Sequence, residues 1–584
     1  MKKNAAELAV YALEQLGIRH TFGIPGVHNT ELYDALNNSE VIEPILVTHE
    51  GGGAFMADGV SRSVRRHSGE IGVLAIVPAA GFTHAASGIG EAFLDGIPML
   101  ILSGGVRTDT NNRFQLHGID QLDLAKPLTK AAYRVGHQNE VVETIYRAYQ
   151  KATTGKPGPV LVEIPVNLQL FTDVVPTPLP YADYLEQQPV EEDEGLAQLV
   201  AQVVELLDSA KRPALFVGWG ARAAKPQLIQ LAEKLQMPVA TTLQGLSSFP
   251  HQHHLHAGFG FSPSAVPAAQ YAFDDCDVLL AIGTRFSEIP TGSYSAEVPD
   301  KLIHVDIDGS VFNQNYPAKV AIAADAEVFM DELLAQLEEK PDRPRNTSLI
   351  SGIEKRKADY LQQWLQHDSK GRVNPARFFS HLRQHMDDDA VTVLDDGNHT
   401  FLTAELYPLA EPATLLTPTD FNAMGYAVPA AIGAKFTQPH KQVFAIVGDG
   451  CFMMTCMEIL TAAKHQLGVM YFVFNDGELS QIAQAQAMPY NRKPCTTLGK
   501  ADFEGIAKGV GAQYVAISSD EALNDGIEQA IKYANKGQPV IVDVAIDYSK
   551  QTAFTSGTAK STFKRFPLGQ KLRIGARAVM RKLR

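Results

Sequence analysis

What most constrains this chain is that its apolar residues come in short, unbroken runs rather than in alternation. VLAIV (73–77), MLILS (99–103) and VLVEI (160–164) are followed by PALFVG (213–218), VLLAIG (278–283) and LIHVDI (302–307). Then come AVTVLDDG (390–397), VFAIVGDG (443–450), VMYFVFND (469–476) and PVIVDVAI (539–546). Runs of this length suit strands buried on both faces, and buried parallel strands need crossover helices between them. The segments between the runs are helical in pattern. The expected fold class is therefore α/β, with three doubly wound parallel-sheet domains. They are placed at 1–180, 195–340 and 372–548, with a basic tail at 551–584. VVPTPLP (174–180) with the acidic PVEEDE (189–194) reads as a first linker, and EEKPDRPRN (338–346) closes the middle block. No close internal repeat is present. Ligands in open α/β sheets bind at the carboxyl ends of strands, so chemistry is sought in the Gly/Asp/Asn turns.

Charge narrows the partners. The formal net charge is -14, yet Gln551–Arg584 holds nine Lys/Arg and no Asp/Glu, which leaves 42 basic against 65 acidic residues in the body, a net of -23. An acidic body argues against nucleic acid as the main partner. The start, MKKNAAELAVYALEQLG, carries Glu7 and Glu14 where a signal core would be uncharged, so it reads as an amphipathic helix. Cys276, Cys451, Cys456 and Cys495 make no CxxC pair, which suits a reducing, cytoplasmic setting. In the tail, Leu568, Leu572, Ala576, Val579 and Leu583 recur on one helical stripe, with Arg573, Arg577, Arg581 and Arg584 nearly opposite. Two readings stay open: peripheral docking on an anionic membrane face, or packing on the enzyme's own acidic body.

The most informative unit runs from Gly448-Asp449-Gly450 to Asn475-Asp476. A strand enters GDG, a helical segment follows, and a second strand enters ND. Gly450 permits close backbone approach, a helix start offers free N–H groups to an anion, and Asp449 and Asp476 supply hard oxygen ligands on neighbouring strand ends. Magnesium favours a few carboxylates together with phosphate oxygens.

This unit resembles the cofactor motif of the thiamine-diphosphate-dependent enzymes, in particular the acetolactate synthase large catalytic subunits. The resemblance covers about residues 4–548. It implies a pyrimidine-binding first domain, a central domain and a diphosphate- and metal-binding third domain. It also implies magnesium held by Asp449, Asp476 and the backbone carbonyl of Glu478, with Asp476 standing where the family has Asn. Gly448, Asp449, Gly450 and Cys451 would line the diphosphate.

THEGGGAFMADGVSR (48–62) is similar to the family stretch that carries the activating glutamate, here Glu50. FNAMGYAVPAAIGA (421–434) supplies Met424 as the wedge beneath the folded cofactor, 25 residues before Asp449, and the carbonyl of Asn422, where the family often has Gly, as acceptor for its amino group. DDGNHTFLTAELY (395–407) brings Gly397, Asn398 and His399 to the diphosphate, with Leu402 at a usual Trp position.

For the substrate, the resemblance implies His28, Phe114, Gln115 and Ile482. His117 replaces an acidic residue and Ala485 replaces a Trp that selects the acceptor. An aliphatic Ile482 favours carboligation over release of aldehyde. The implied activity is decarboxylating carboligation of pyruvate or another 2-oxo acid. The alternatives are a diketone- or acyloin-cleaving hydrolase or lyase, a pyruvate oxidase, and a non-catalytic cofactor-binding subunit. In the family Glu50 and Met424 serve one cofactor from different subunits, so a homodimer or homotetramer is expected. VGWGARAA (217–224), GTRF (283–286), VDID (305–308) and ADA (324–326) are similar to segments that line FAD, so FAD is admitted as a further cofactor. PHQHHLHAG (250–258) lacks a helical i,i+4 histidine pair and is not taken as a metal site.

Overall fold

The computed structural model describes residues 1–64, 69–110, 113–188, 195–409, 411, 414–490 and 492–582. Three six-stranded parallel sheets follow one another along the chain. The first contains β1 (His20–Gly23), β2 (Glu43–Leu46), β3 (Gly72–Ile76), β4 (Met99–Gly105), β5 (Ala131–Arg134) and β6 (Pro159–Pro165), in the order β2-β1-β3-β4-β6-β5. The second contains β7 (Pro213–Val217), β8 (Val239–Thr241), β9 (His256–Phe259), β10 (Val278–Ile282), β11 (Leu302–Asp306) and β12 (Val320–Ala323), in the order β9-β8-β7-β10-β11-β12. The third contains β13 (Val391–Leu394), β14 (Leu415–Leu416), β15 (Val443–Gly448), β16 (Val469–Phe474), β17 (Gln513–Ile517) and β18 (Val540–Val544), in the order β14-β13-β15-β16-β18-β17.

The expected α/β class holds, and every continuous apolar run is a strand. β3, β4, β6, β7 and β10 are buried along their whole length. The strands without such a run are short or lie toward sheet margins: β14 has two residues and β5 is half-exposed. The outer sheets share one strand order. The middle sheet instead has the 3-2-1-4-5-6 order of dinucleotide-binding folds.

Two helices lock the first sheet to the third. In α1 (Glu50–Ser63) every residue is buried. Beside it, α2 (Ala80–Asp95) contributes Asp95. In the third block lie α3 (Asn398–Leu406), α4 (Ala427–Thr437), α5 (Asp449–Thr455) and α6 (Ser480–Tyr490). A Cβ on Gly59 would lie 2.2 Å from the Ala430 carbonyl oxygen, and one on Gly433 would lie 2.0 Å from that of Met56. Glycine therefore lets the backbones of α1 and α4 touch. Between them Arg62 donates to Asp58 at 2.6 Å and to Asp95 at 2.9 Å, and the Tyr426 hydroxyl donates to Asp58 at 2.6 Å. All three charged side chains are fully buried. Removing one partner from such a set costs about 3–5 kcal/mol, because a buried charge is left uncompensated.

The segments read as linkers are tied down where the structure describes them. Asp173–Val174 pairs antiparallel with Lys2–Lys3, and the Val175 N–H donates to the Met1 carbonyl at 2.8 Å. The acidic run 189–194 lies outside the described residues. Arg343 is clasped by the carbonyls of Leu207 and Ala210.

The basic tail forms α7 (Ala553–Arg565) and α8 (Leu568–Lys582). α7 is moored: Phe554 stacks on Phe401 at 4.3 Å, and Glu405 accepts the N–H groups of Ala553 and Phe554. α8 lies along α6 with Lys571, Ile574 and Arg577 half-buried. Leu568, Leu572 and Met580 are 72%, 65% and 62% exposed. Of the expected stripe, Leu568, Leu572 and Ala576 face outward. The side chain of Val579, and Leu583 and Arg584 altogether, lie outside the described residues. Among the described residues no helix is long and apolar enough to cross a membrane.

Candidate active site

The ends of β13, β15 and β16 open into one cleft. It is lined by Gly397, Asn398, His399, Met424, Gly448, Asp449, Gly450, Cys451, Asp476, Glu478 and Ile482, with Asp396, Phe474, Leu479, Ser480, Gln481 and Tyr548 completing it. Thus eleven of the expected residues meet at the carboxyl end of one sheet. Asn422 lies two residues from Met424. Its φ of 60° is left-handed, which explains why glycine is favoured there and why Asn, among side chains, is tolerated.

Asp449 is the first residue of α5, and its carboxylate accepts N–H bonds from Gly450 at 2.8 Å and Gly477 at 2.7 Å. Burial, with the nearby Asp476 charge adding to it, pushes Asp449 up to about 6. Burial also raises Asp476, whose carboxylate takes the Ser480 hydroxyl and the Glu478 N–H. A buried and a half-buried carboxylate on adjacent strand ends are destabilised as anions, which a cation between them would relieve. At the start of α3, the Asn398 amide nitrogen and the His399 Nε2 are buried without a partner. Burial holds His399 down to about 3, so the ring is neutral. These features fit a diphosphate with a divalent cation. An orphaned amide donor gains an anionic acceptor, an anion beside His399 favours a proton on Nε2, and the cation relieves the carboxylates.

Close approach at Gly450 has a specific cause: a Cβ there would lie 2.5 Å from Leu479 Cδ2, so glycine lets the loop after β16 fold over the turn. The segment after GDG, read as one helix, breaks into α5, a 3₁₀ turn at Cys456–Glu458 and a second helix at Ile459–Lys464. The break turns the Glu458 carboxylate onto the N–H groups of Thr48 and His49. Glu458 and Asp395 are positioning residues that the motif reading passed over. Asp395 accepts the N–H groups of Gly425 at 2.8 Å and Ala427 at 2.7 Å, which holds the loop bearing Met424. Both acids are fully buried, and only burial distinguishes them from surface carboxylates in the sequence.

The remaining candidates sit on the first sheet and do not line this cleft. Glu50, the first residue of α1, is buried and its Oε2 lies 3.0 Å from His84 Nδ1. His28 is buried, with its Nδ1 unpartnered and its ring 5.1 Å from that of His117. Burial lowers its pKa. Phe114 is fully exposed, and the Gln115 amide is spent on the Arg107 backbone, accepting at 3.0 Å and donating at 2.8 Å. The four cysteines are free thiols. In the histidine-rich loop, His253 Nε2 lies 3.3 Å from Glu233, whereas the Lys357 ammonium donates to the His251 carbonyl and lies 3.3 Å from His256 Nδ1.

A second cleft lies where the middle sheet reverses its strand order. Trp219, Gly220, Gln244, Gly283, Arg285, Asp306 and Asp308 line it. The Gln244 amide nitrogen is buried without a partner, and burial pushes Asp306 up to about 6.

Three family profiles match the chain. They are "Thiamine pyrophosphate enzyme, N-terminal TPP binding domain" at residues 3–124, the central domain at 200–333, and the "C-terminal TPP binding domain" at 395–544. Among known proteins, the chain is 31% identical to a probable acetolactate synthase large subunit of Methanocaldococcus jannaschii, over 93% of this chain and 92% of that protein. It is 30% identical to the acetolactate synthase large subunit of Haemophilus influenzae, over 94% of this chain and 96% of that protein. It is also 30% identical to the acetolactate synthase isozyme 1 large subunit of Escherichia coli, over 93% and 94% respectively.

Proposed function

The chain belongs to the thiamine pyrophosphate enzyme family, and from that premise we propose that it is a thiamine-diphosphate-dependent carboligase of the acetolactate synthase type, joining the decarboxylated remnant of pyruvate to a second 2-oxo acid. The observation that carries this reading is the cleft at the ends of β13, β15 and β16, where the unpartnered Asn398 amide nitrogen and His399 Nε2 share a lining with two carboxylates that burial raises. Asp449, Asp476 and the Glu478 carbonyl would hold magnesium, and Gly397, Asn398 and His399 the diphosphate. When bound, the cofactor supplies an acidic thiazolium carbon that adds to a 2-oxo group and stores the electron pair left by carbon dioxide.

The chain's own residues govern protons and access. Glu50 would hold the ring nitrogen of the pyrimidine, and Met424 would support the folded cofactor from below. His28, whose pKa burial lowers toward the neutral ring, is the candidate to hold or move a proton at the substrate oxygen. Ile482 is half-exposed at the cleft and has no proton to give, which favours attack on a second oxo acid over protonation to aldehyde. Purified protein supplied with pyruvate, thiamine diphosphate and magnesium should make acetolactate as its main product. Acetaldehyde as the dominant product would overturn the carboligase reading.

Further parts of the proposal rest on separate observations. Glu50 does not line the cleft of its own chain, and the large apolar side chains of Met454, Met457 and Phe421 are exposed in the single chain, which supports a homodimer with shared sites. The strand order of the middle sheet, with an unpartnered Gln244 amide at its switch point, supports a bound dinucleotide such as FAD. A flavin absorbance in the purified protein, or its appearance on titration with FAD, tests this. The outward stripe of α8 supports peripheral docking on an anionic membrane surface.

A further inference from the structure

Glu50 is held by a group that the motif match does not assign. α1 and α2 approach closely at its position: a Cβ on Gly51 would lie 3.1 Å from the His84 carbonyl oxygen, and one on Gly88 would lie 2.5 Å from the Ala54 Cβ. This contact sets the first turn of α2 against the first turn of α1. His84 Nδ1 then donates to Glu50 Oε2 at 3.0 Å. In the single chain the Glu50 side chain is 8% exposed and that of His84 is 50% exposed, so the pair has one buried end and one half-open end. The ring of His84 is also fixed in orientation, stacked on His49 at 4.8 Å and 26°.

The other titratable groups around Glu50 are committed elsewhere. His49 Nδ1 accepts the Gly51 N–H at 3.0 Å, which makes His49 the cap of α1. The Tyr33 hydroxyl donates to the Ala75 carbonyl at 2.9 Å, and burial, with the Glu50 charge adding to it, keeps its proton on. Glu458 accepts the N–H groups of Thr48 and His49. Among the described residues, His84 is the titratable group with a side-chain hydrogen bond to Glu50.

We propose that His84 is the positioning residue and proton relay of Glu50. Its Nδ1–H holds Oε2 and leaves Oε1 for the cofactor's pyrimidine. As imidazolium it gives the Nδ1 proton to Oε2: the carboxylate becomes a carboxylic acid, and the ring stays neutral with its proton on Nε2. The reverse transfer restores the carboxylate, and solvent supplies or removes protons at the exposed ring. This rests on the reading of Glu50 as the residue that engages the pyrimidine.

The test uses the full-length protein with magnesium and thiamine diphosphate, and reads two quantities. One is cofactor affinity by calorimetry. The other is exchange of the cofactor's C2 proton into deuterium oxide by quenched NMR. His84→Asn keeps a donor to Oε2 but cannot relay. It should bind cofactor within about threefold of wild type, with C2 exchange slowed about tenfold or more. His84→Ala should bind several-fold more weakly and exchange slowly, and added imidazole should restore exchange in His84→Ala but not in His84→Asn. Wild-type exchange in His84→Asn, or no response of folded His84→Ala to imidazole, overturns the proposal. Glu50→Gln is the control. If it exchanges like wild type, the reading of Glu50 itself is wrong. If it is slow while His84→Asn is not, only the relay falls.

Discussion

Asp449 and Asp476 show how neighbours make an ordinary residue type useful. Each is a carboxylate at a strand end, and burial raises both. Asp449→Ala should therefore lose magnesium-dependent binding of thiamine diphosphate, measured by titration with and without chelator. Unchanged affinity would remove Asp449 from the metal site. Asp476→Asn keeps an oxygen ligand and sheds a charge that strains Asp449, so it should retain cofactor binding. Failure to bind would mean the second charge is required. Glu50→Gln should fold and bind cofactor yet lose about 10²–10⁴-fold in turnover, the usual size of a lost acid–base contribution. A steady-state rate near wild type would contradict its role.

At the scale of elements, the C-terminal pair of helices divides its work. α7 is moored through Glu405 and the stacked pair Phe401 and Phe554. Burial pushes Glu405 up to about 7, against the N–H and hydroxyl donors that favour its anion. Glu405→Ala leaves two backbone N–H groups without that acceptor, so α7 should loosen, and limited proteolysis should cut sooner after Tyr548 than in wild type. α8 turns Leu568, Leu572 and Met580 outward while Ile574 is half-buried, which weakens the alternative that the stripe is buried against the enzyme's own body. Full-length protein should co-sediment with anionic vesicles at low salt and be released at high salt. Protein truncated after Tyr548 should stay in the supernatant. Equal sedimentation of the two would end the membrane proposal.

The whole molecule is two like sheets joined through α1 and α4, with a differently ordered sheet between them in the chain. If Glu50 and Asp449 serve one cofactor from different subunits, neither single-residue variant is repaired alone, but a mixture can be. Co-refolded Glu50→Gln and Asp449→Ala chains should regain up to about a quarter of wild-type activity, because half of the dimers are mixed and each carries one intact site. No recovery from a mixture shown to contain mixed dimers would place both residues in one subunit's site.

The sequence alone determined the fold class and most of the residues that meet in the cleft at the ends of β13, β15 and β16, because both are written locally. Continuous apolar runs mark doubly buried strands, and the GDG turn, the DDGNH turn and Met424 are each short contiguous signals at the ends of those runs. The half-exposed strand β5 and the two-residue strand β14 carried no comparable pattern. What only the tertiary structure decided depends on contacts between distant segments. Asp395, Glu458 and His84 look like any polar residue until the fold buries two of them against backbone N–H groups and sets the third against Glu50. The direction of the α8 stripe belongs to the same class. Helical periodicity names the residues on a face, but which face is covered is set by where the helix packs, here along α6, and periodicity carries no record of that.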